Sequence, residues 1–106
     1  MSMTKVIRYT TKPERAEENE RLIRNVFAEL ASHKPDGLRY ATFRLEDGVS
    51  FVHLAILDGE ENPLATSRAF GEFQSGISDR CEEGPIPADA TVIGNFLLLP
   101  DGSVRP

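Results

Sequence analysis

The 106-residue chain has a single cysteine, no tryptophan and two histidines. One thiol, Cys81, cannot build an internal disulfide framework and excludes a C-x-x-C metal or redox motif. His33 and His53 form no H-x-H or H-x-x-x-H pair, so no metal site is expected. Positive charge is also scarce: 12 Lys and Arg stand against 17 Asp and Glu, for a net charge of −5. That balance opposes phosphate neutralisation, and neither a nucleic acid nor an anionic membrane surface is expected as a partner. Long apolar runs are missing as well. The N-terminal M-S-M-T-K-V-I-R-Y has no signal-like apolar core and no segment has the length to span a bilayer, which points to a soluble, cytoplasmic protein. Without repeats, linkers or low-complexity tracts, residues 1–106 read as one domain, with 100–106 a short polar tail.

What the chain does have is a β-rich stretch from Gly37 to Leu57, G-L-R-Y-A-T-F-R-L-E-D-G-V-S-F-V-H-L-A-I-L. Asp47-Gly48 supplies the positive φ angles of a type I′ turn, so the two runs form a tight antiparallel hairpin. Arg44 then faces Phe51, Thr42 faces His53 and Tyr40 faces Ala55, and the register separates two unlike faces. Ala41, Phe43, Leu45, Val52, Leu54 and Ile56 are almost purely apolar and read as the core face against the helices. Tyr40, Thr42, Arg44, Phe51 and His53 mix apolar with functional groups and are expected to face a second copy of the chain.

Upstream, Lys5 to Thr11 alternates as a first strand with Ile7 and Tyr9 inward. Thr11 and Glu14 have capping-box spacing, Pro13 suits a first helical turn, and Ala16, Ile23, Val26, Phe27 and Leu30 form one apolar stripe of a helix over 13–32. Downstream, a polar loop at 58–63 leads to a second helix capped by Thr66 or Ser67, with Phe70, Phe73, Ile77 and Cys81 on its inner side. Gly84-Pro85-Ile86-Pro87 reads as its stop, and Thr91 to Leu99 as the last strand. The fold class that follows is α+β, a ferredoxin-like βαββαβ unit: a four-stranded antiparallel sheet of order 4-1-3-2 with two helices on one face. The other face would expose an apolar patch, so a homodimer through the sheet face is expected.

This element order, the short acidic loop after the hairpin, and the run P-L-x-x-x-x-A-F-x-x-F from Pro63 to Phe73 resemble the dimeric α/β-barrel superfamily, in its antibiotic-biosynthesis-monooxygenase-like branch, over residues 3 to 99. The resemblance implies two sheets paired face to face as a barrel. It implies a cofactor-independent monooxygenase-like activity on a small aromatic or enolisable substrate, with no cofactor. Several enzymes of the branch use a tryptophan and an asparagine, and its haem degraders add a histidine on the second helix. This chain has no tryptophan, and Phe70 to Cys81 holds no histidine, which argues against haem degradation. The alternative of a different class is a non-catalytic homodimeric module that binds a small hydrophobic ligand or only assembles.

RNA-recognition domains share the topology, and Asp47 to Leu54 echoes their strand signature, but Asp47 stands in place of the basic residue and Val49 and Leu54 in place of stacking aromatics. Among the titratable groups, His53 could act as a general base or hold a substrate oxygen, or could instead bond across the dimer interface. Arg8 and Arg44 could complement a carboxylate or enolate, or pair with acidic neighbours such as Glu46 or Glu72. Asn95 could hydrogen-bond substrate or be satisfied within the interface. The catalytic candidates are thus His53, Arg8 and Asn95. Tyr40, Arg44, Phe27, Phe43, Phe70 and Phe73 are candidates for substrate binding, the phenylalanines as walls of a flat pocket between helices and sheet.

Overall fold

The computed structural model describes residues 3–59 and 61–97. Strand β1 (Met3–Thr11) passes through a 3₁₀ turn at Pro13–Arg15 into helix α1 (Ala16–His33). Strands β2 (Leu38–Arg44) and β3 (Ser50–Leu57) form the hairpin. A second 3₁₀ turn, Pro63–Thr66, precedes α2 (Arg68–Ser75), the short α3 (Ile77–Arg80) and strand β4 (Cys81–Ala90). All strand pairs are antiparallel in the order β2-β3-β1-β4. With the helices on one face, this is the ferredoxin-like α+β arrangement expected from the element order.

Local chemistry explains most of the boundaries. Helix α1 buries Ala16, Asn19, Ile23 and Val26, three of them from the expected stripe. It ends where Lys34 turns left-handed (φ 48°) and donates its N–H to the Leu30 carbonyl at 2.7 Å. Ser67 caps α2 by accepting from the Phe70 N–H at 3.0 Å, and Gly76 interrupts the helix before α3. Thr11 does not cap α1: it is fully buried and its hydroxyl donates to the Val49 carbonyl at 3.3 Å.

The hairpin register is the expected one, with Tyr40, Thr42 and Arg44 opposite Ala55, His53 and Phe51. Its turn is different. Only Gly48 has a positive φ (79°), and its N–H bonds the Leu45 carbonyl at 3.0 Å, so Glu46 and Asp47 occupy the turn centre. A type I′ turn needs positive φ at both central residues. Here the Asp47 carboxylate instead accepts from the Val49 and Ser50 N–H groups and the Ser50 hydroxyl, holding the loop from its side chain.

The faces of the hairpin and the course of the chain after α3 also differ from expectation. The face of the hairpin that meets the helices is the mixed one: Tyr9, Phe51, Ile23, Val26, Leu64 and Phe73 form one buried cluster, with Tyr40 and Leu38 packed against it. The apolar face, with Phe43, Val52 and Leu54, lies on the other side together with Val6, Arg8 and Ile86 of the neighbouring strands. Phe43 is 51% and Ile86 62% exposed there. Large aromatic rings fill the gap between sheet and helices better than small aliphatic groups, and the polar atoms on that face satisfy one another. The last strand is 81–90 and not 91–99; residues 91–97 have no regular structure, and 98–99 lie outside the described residues. Prolines 85 and 87 do not end a helix but sit in this edge strand, where a missing N–H is tolerated. Gly84, with φ 90°, lies so close to β1 that an added Cβ would stand 2.9 Å from the Arg8 carbonyl oxygen.

Candidate functional site

On the helix side of the sheet, a cavity of about 290 Å³ opens between β1, β3, α2 and the edge strand. Its walls are mainly apolar, including Ile7, Leu57, Leu64, Phe70, Phe73 and Ile77. Tyr9, Tyr40 and His53 line it too, and Lys5, Asn62 and Gln74 add polar groups. A mostly apolar concavity with a few convergent polar groups is the usual form of a small-molecule site, and this volume is at the low end for one.

His53 is 3% exposed. Strand β3 places it opposite Thr42 on one side and Ile7 on the other. Its Nε2 lies 2.7 Å from the Tyr9 hydroxyl, and its Nδ1 lies 2.6 Å from the Tyr40 hydroxyl and 3.3 Å from the Thr42 hydroxyl. Tyr9 also accepts from the Asn19 amide at 2.9 Å. The Asn19 carbonyl accepts in turn from Arg80 Nε at 3.0 Å, and Arg80 Nη2 donates to the Phe73 carbonyl at 2.6 Å. A continuous buried chain therefore runs Arg80, Asn19, Tyr9, His53, Tyr40. No fully buried side-chain polar atom is left without a partner among the described residues.

Burial dominates the electrostatics. It pushes the His53 imidazolium down to about 4, so the ring is neutral near pH 7. It pushes the Tyr40 phenol up to about 12, with the Thr42 hydroxyl pulling the other way, and raises Tyr9 further, against the Asn19 bond. Burial also lowers Arg80 and raises the Cys81 thiol. Aromatic rings enclose the imidazole: Tyr9, Tyr40 and Phe73 have their centroids 5.3, 5.8 and 5.3 Å from it. Phe27 stacks on Tyr40 with ring centroids 5.0 Å apart and planes at 11°.

Of the residues singled out in the sequence, His53, Tyr40, Phe70 and Phe73 converge on this cavity, and Phe27 supports it through Tyr40. Arg44 does not reach it. Arg44 pairs with Glu17 and Glu20 of α1 at 2.9 and 2.8 Å, donates to the Gly48 carbonyl and lies over the Phe51 ring. Arg8 is exposed on the opposite face of the sheet, as is Phe43, and Asn95 is half-buried in the segment after β4. His53, Tyr40 and Thr42 bond to one another within one chain, on the helix side of the sheet. Tyr9, Asn19 and Arg80 were missed as site residues. Asn19 sits in phase with Ala16, Ile23 and Val26, and a lone amide on an apolar stripe is the one local sign that a buried polar partner exists. Among the described residues, no cluster of three or more His, Cys, Asp or Glu is placed to hold a metal ion, and no helix is long and apolar enough to cross a membrane.

Solved structures share this fold. One is a protein from Bacteroides thetaiotaomicron named as a candidate antibiotic biosynthesis monooxygenase. It superposes with a TM-score of 0.77 at 18% identity, over 93% of this chain and 96% of its own. A protein from Mycobacterium tuberculosis gives 0.72 at 12% identity, over 90% and 98%. SnoaB from Streptomyces nogalater, a cofactor-independent oxygenase, gives 0.66 at 17% identity, over 91% and 97%. No family model matches the sequence, and no curated protein matches it. At these identities the chain shares the fold of the antibiotic-biosynthesis-monooxygenase-like structures, as the run from Pro63 to Phe73 implied.

Proposed function

We propose that the protein is a cofactor-independent monooxygenase-like enzyme acting on a small aromatic, enolisable substrate held in the cavity at Tyr40 and His53. The observation that carries this reading is the polar chain ending on a mainly apolar cavity. In such a reaction the substrate supplies the electrons. A CH₂ flanked by a conjugated carbonyl loses a proton to solvent, the enolate reduces dioxygen at that carbon, one oxygen atom stays as a new carbonyl and the other leaves as water (CH₂ + O₂ → C=O + H₂O). The protein's part is a dry cavity and a hydrogen-bond donor for the enolate oxygen. Tyr40 is that donor. His53, neutral and engaged at both nitrogens, positions it and is a poor proton acceptor. Arg8 and Asn95 have no part in this reading.

The engagement of both His53 nitrogens inside the chain favours a second reading, a non-catalytic module that binds a small hydrophobic ligand in the same cavity. Either form is expected to be a homodimer, because the apolar sheet face carrying Phe43, Val52 and Leu54 needs a cover. Oxygen uptake with a panel of hydroquinones and anthrones separates the two readings. Uptake by the wild type that is lost in Tyr40→Phe and His53→Ala supports the enzyme; saturable binding without uptake across the panel supports the binding module.

A further inference from the structure

The buried chain has a direction. Arg80 is 2% exposed and forms no ion pair among the described residues; its donors go to the Asn19 and Phe73 carbonyls. The Asn19 carbonyl is thereby occupied, so its amide must donate, and it donates to Tyr9. Tyr9, 2% exposed, then has one proton to place, and the remaining acceptor beside it among the described residues is His53 Nε2 at 2.7 Å. Placing the ring proton on Nε2 instead would leave the Tyr9 O–H buried without an acceptor, which is costly. His53 therefore carries its proton on Nδ1 and donates it to the Tyr40 oxygen at 2.6 Å. The Thr42 hydroxyl lies 3.3 Å from the same Nδ1. The Tyr40 proton therefore points away from His53, at the wall of the cavity.

We infer that Arg80 and Asn19 set the polarity of this chain so that the cavity presents Tyr40 as a hydrogen-bond donor, and that it selects ligands whose buried end is an acceptor oxygen, above all an aromatic oxyanion. Successive donors aligned away from a buried cation strengthen one another, which makes the last O–H a better donor than an isolated phenol. Arg80 and Asn19 touch no ligand; they are positioning residues. The inference rests on the cavity being a ligand site, as proposed above, but does not require turnover.

The test uses the full chain. Nitrogen-15 NMR of histidine-labelled protein at pH 7 should show His53 with a protonated Nδ1 and a bare Nε2; a proton on Nε2 overturns the inference whatever the activity. Asn19→Asp keeps an acceptor for Arg80 but makes the side chain an acceptor toward Tyr9 as well, which reverses the chain: the His53 proton should move to Nε2 and Tyr40 should turn its proton inward. Binding is read with 4-nitrophenolate against the similarly shaped 4-nitroaniline. The wild type should prefer the phenolate by about tenfold, as for a hydrogen bond to a charged oxygen, and Asn19→Asp should lose that preference. No preference in the wild type, or a preference kept after the proton has moved, overturns it. Should Asn19→Asp fail to fold, the wild-type tautomer and ligand preference still decide.

Discussion

The Tyr9 hydroxyl on the first strand and His53 Nε2 on the third lie 2.7 Å apart and both side chains are almost wholly buried. Two residues separated by 44 positions thus complete each other's hydrogen bonding in the core, and the cavity is built against them.

Tyr9→Phe keeps the ring and removes the shared oxygen, leaving the Asn19 amide and the His53 nitrogen buried without it. Stability should fall by about 2 kcal/mol or more, since unpaired buried groups cost more than the bond itself contributes. Urea denaturation at pH 7 measures it; a change within a few tenths would show that water replaces the hydroxyl.

Acid should destabilise the protein through His53. Its folded-state value, about 4, lies below the ordinary 6.5, so between these pH values only the unfolded chain takes up the proton. Stability from this group is complete above about pH 6.5 and is lost as pH falls toward 4, with a loss on the order of 2 kcal/mol between pH 7 and pH 5. His53→Gln should flatten that slope. Paired carboxylates such as Glu20 and Asp47 are held below their ordinary values by Arg44 and by Ser50 and so act at lower pH.

Gly84→Ala should be severe. At φ 90° and 2.9 Å from the Arg8 carbonyl the new methyl group meets backbone, and the left-handed conformation is strained as well. A loss of roughly 3 kcal/mol is expected from thermal unfolding. Gly71→Ala, with open space around it on α2, is the control and should change little.

Arg44→Met breaks the ion pairs with Glu17 and Glu20 at the surface. Stability should change by less than about 1 kcal/mol, and ligand affinity not at all, because Arg44 does not line the cavity.

The open sheet face gives the expectation for assembly. Light scattering at micromolar concentration should find a dimer, and Phe43→Lys, which charges that face without touching the cavity, should shift it to monomer. A wild-type monomer would mean that the exposed Phe43 and Ile86 are tolerated singly.

The fold was legible because it depends on local periodicity. Tyr40 opposite Ala55 followed from hairpin spacing, and the register survived a mistaken turn type because the four-residue loop 46–49, closed by Leu45 and Ser50, is centred on the same Asp47-Gly48 pair. Assigning faces by counting apolar groups failed: His53 looks misplaced in a core until Tyr9, Tyr40 and Thr42 are known to surround it. The last strand was misread because Pro85 and Pro87 break structure in most settings but not along a sheet edge. Asn19 on the apolar stripe of α1 signals a buried polar partner, but nothing local names Arg80, 61 positions away, as that partner.

That a ligand sits at Tyr40 and His53 can be tested most directly by titrating a naphthohydroquinone, kept anaerobic, into isotope-labelled protein and mapping the NMR shift changes. Saturable changes centred on Tyr40, His53 and Phe73 are expected, and Tyr40→Phe should weaken them. Changes centred instead on Arg8, Phe43 or Asn95, or none at saturating concentration, would contradict the assignment of the cavity as the functional site.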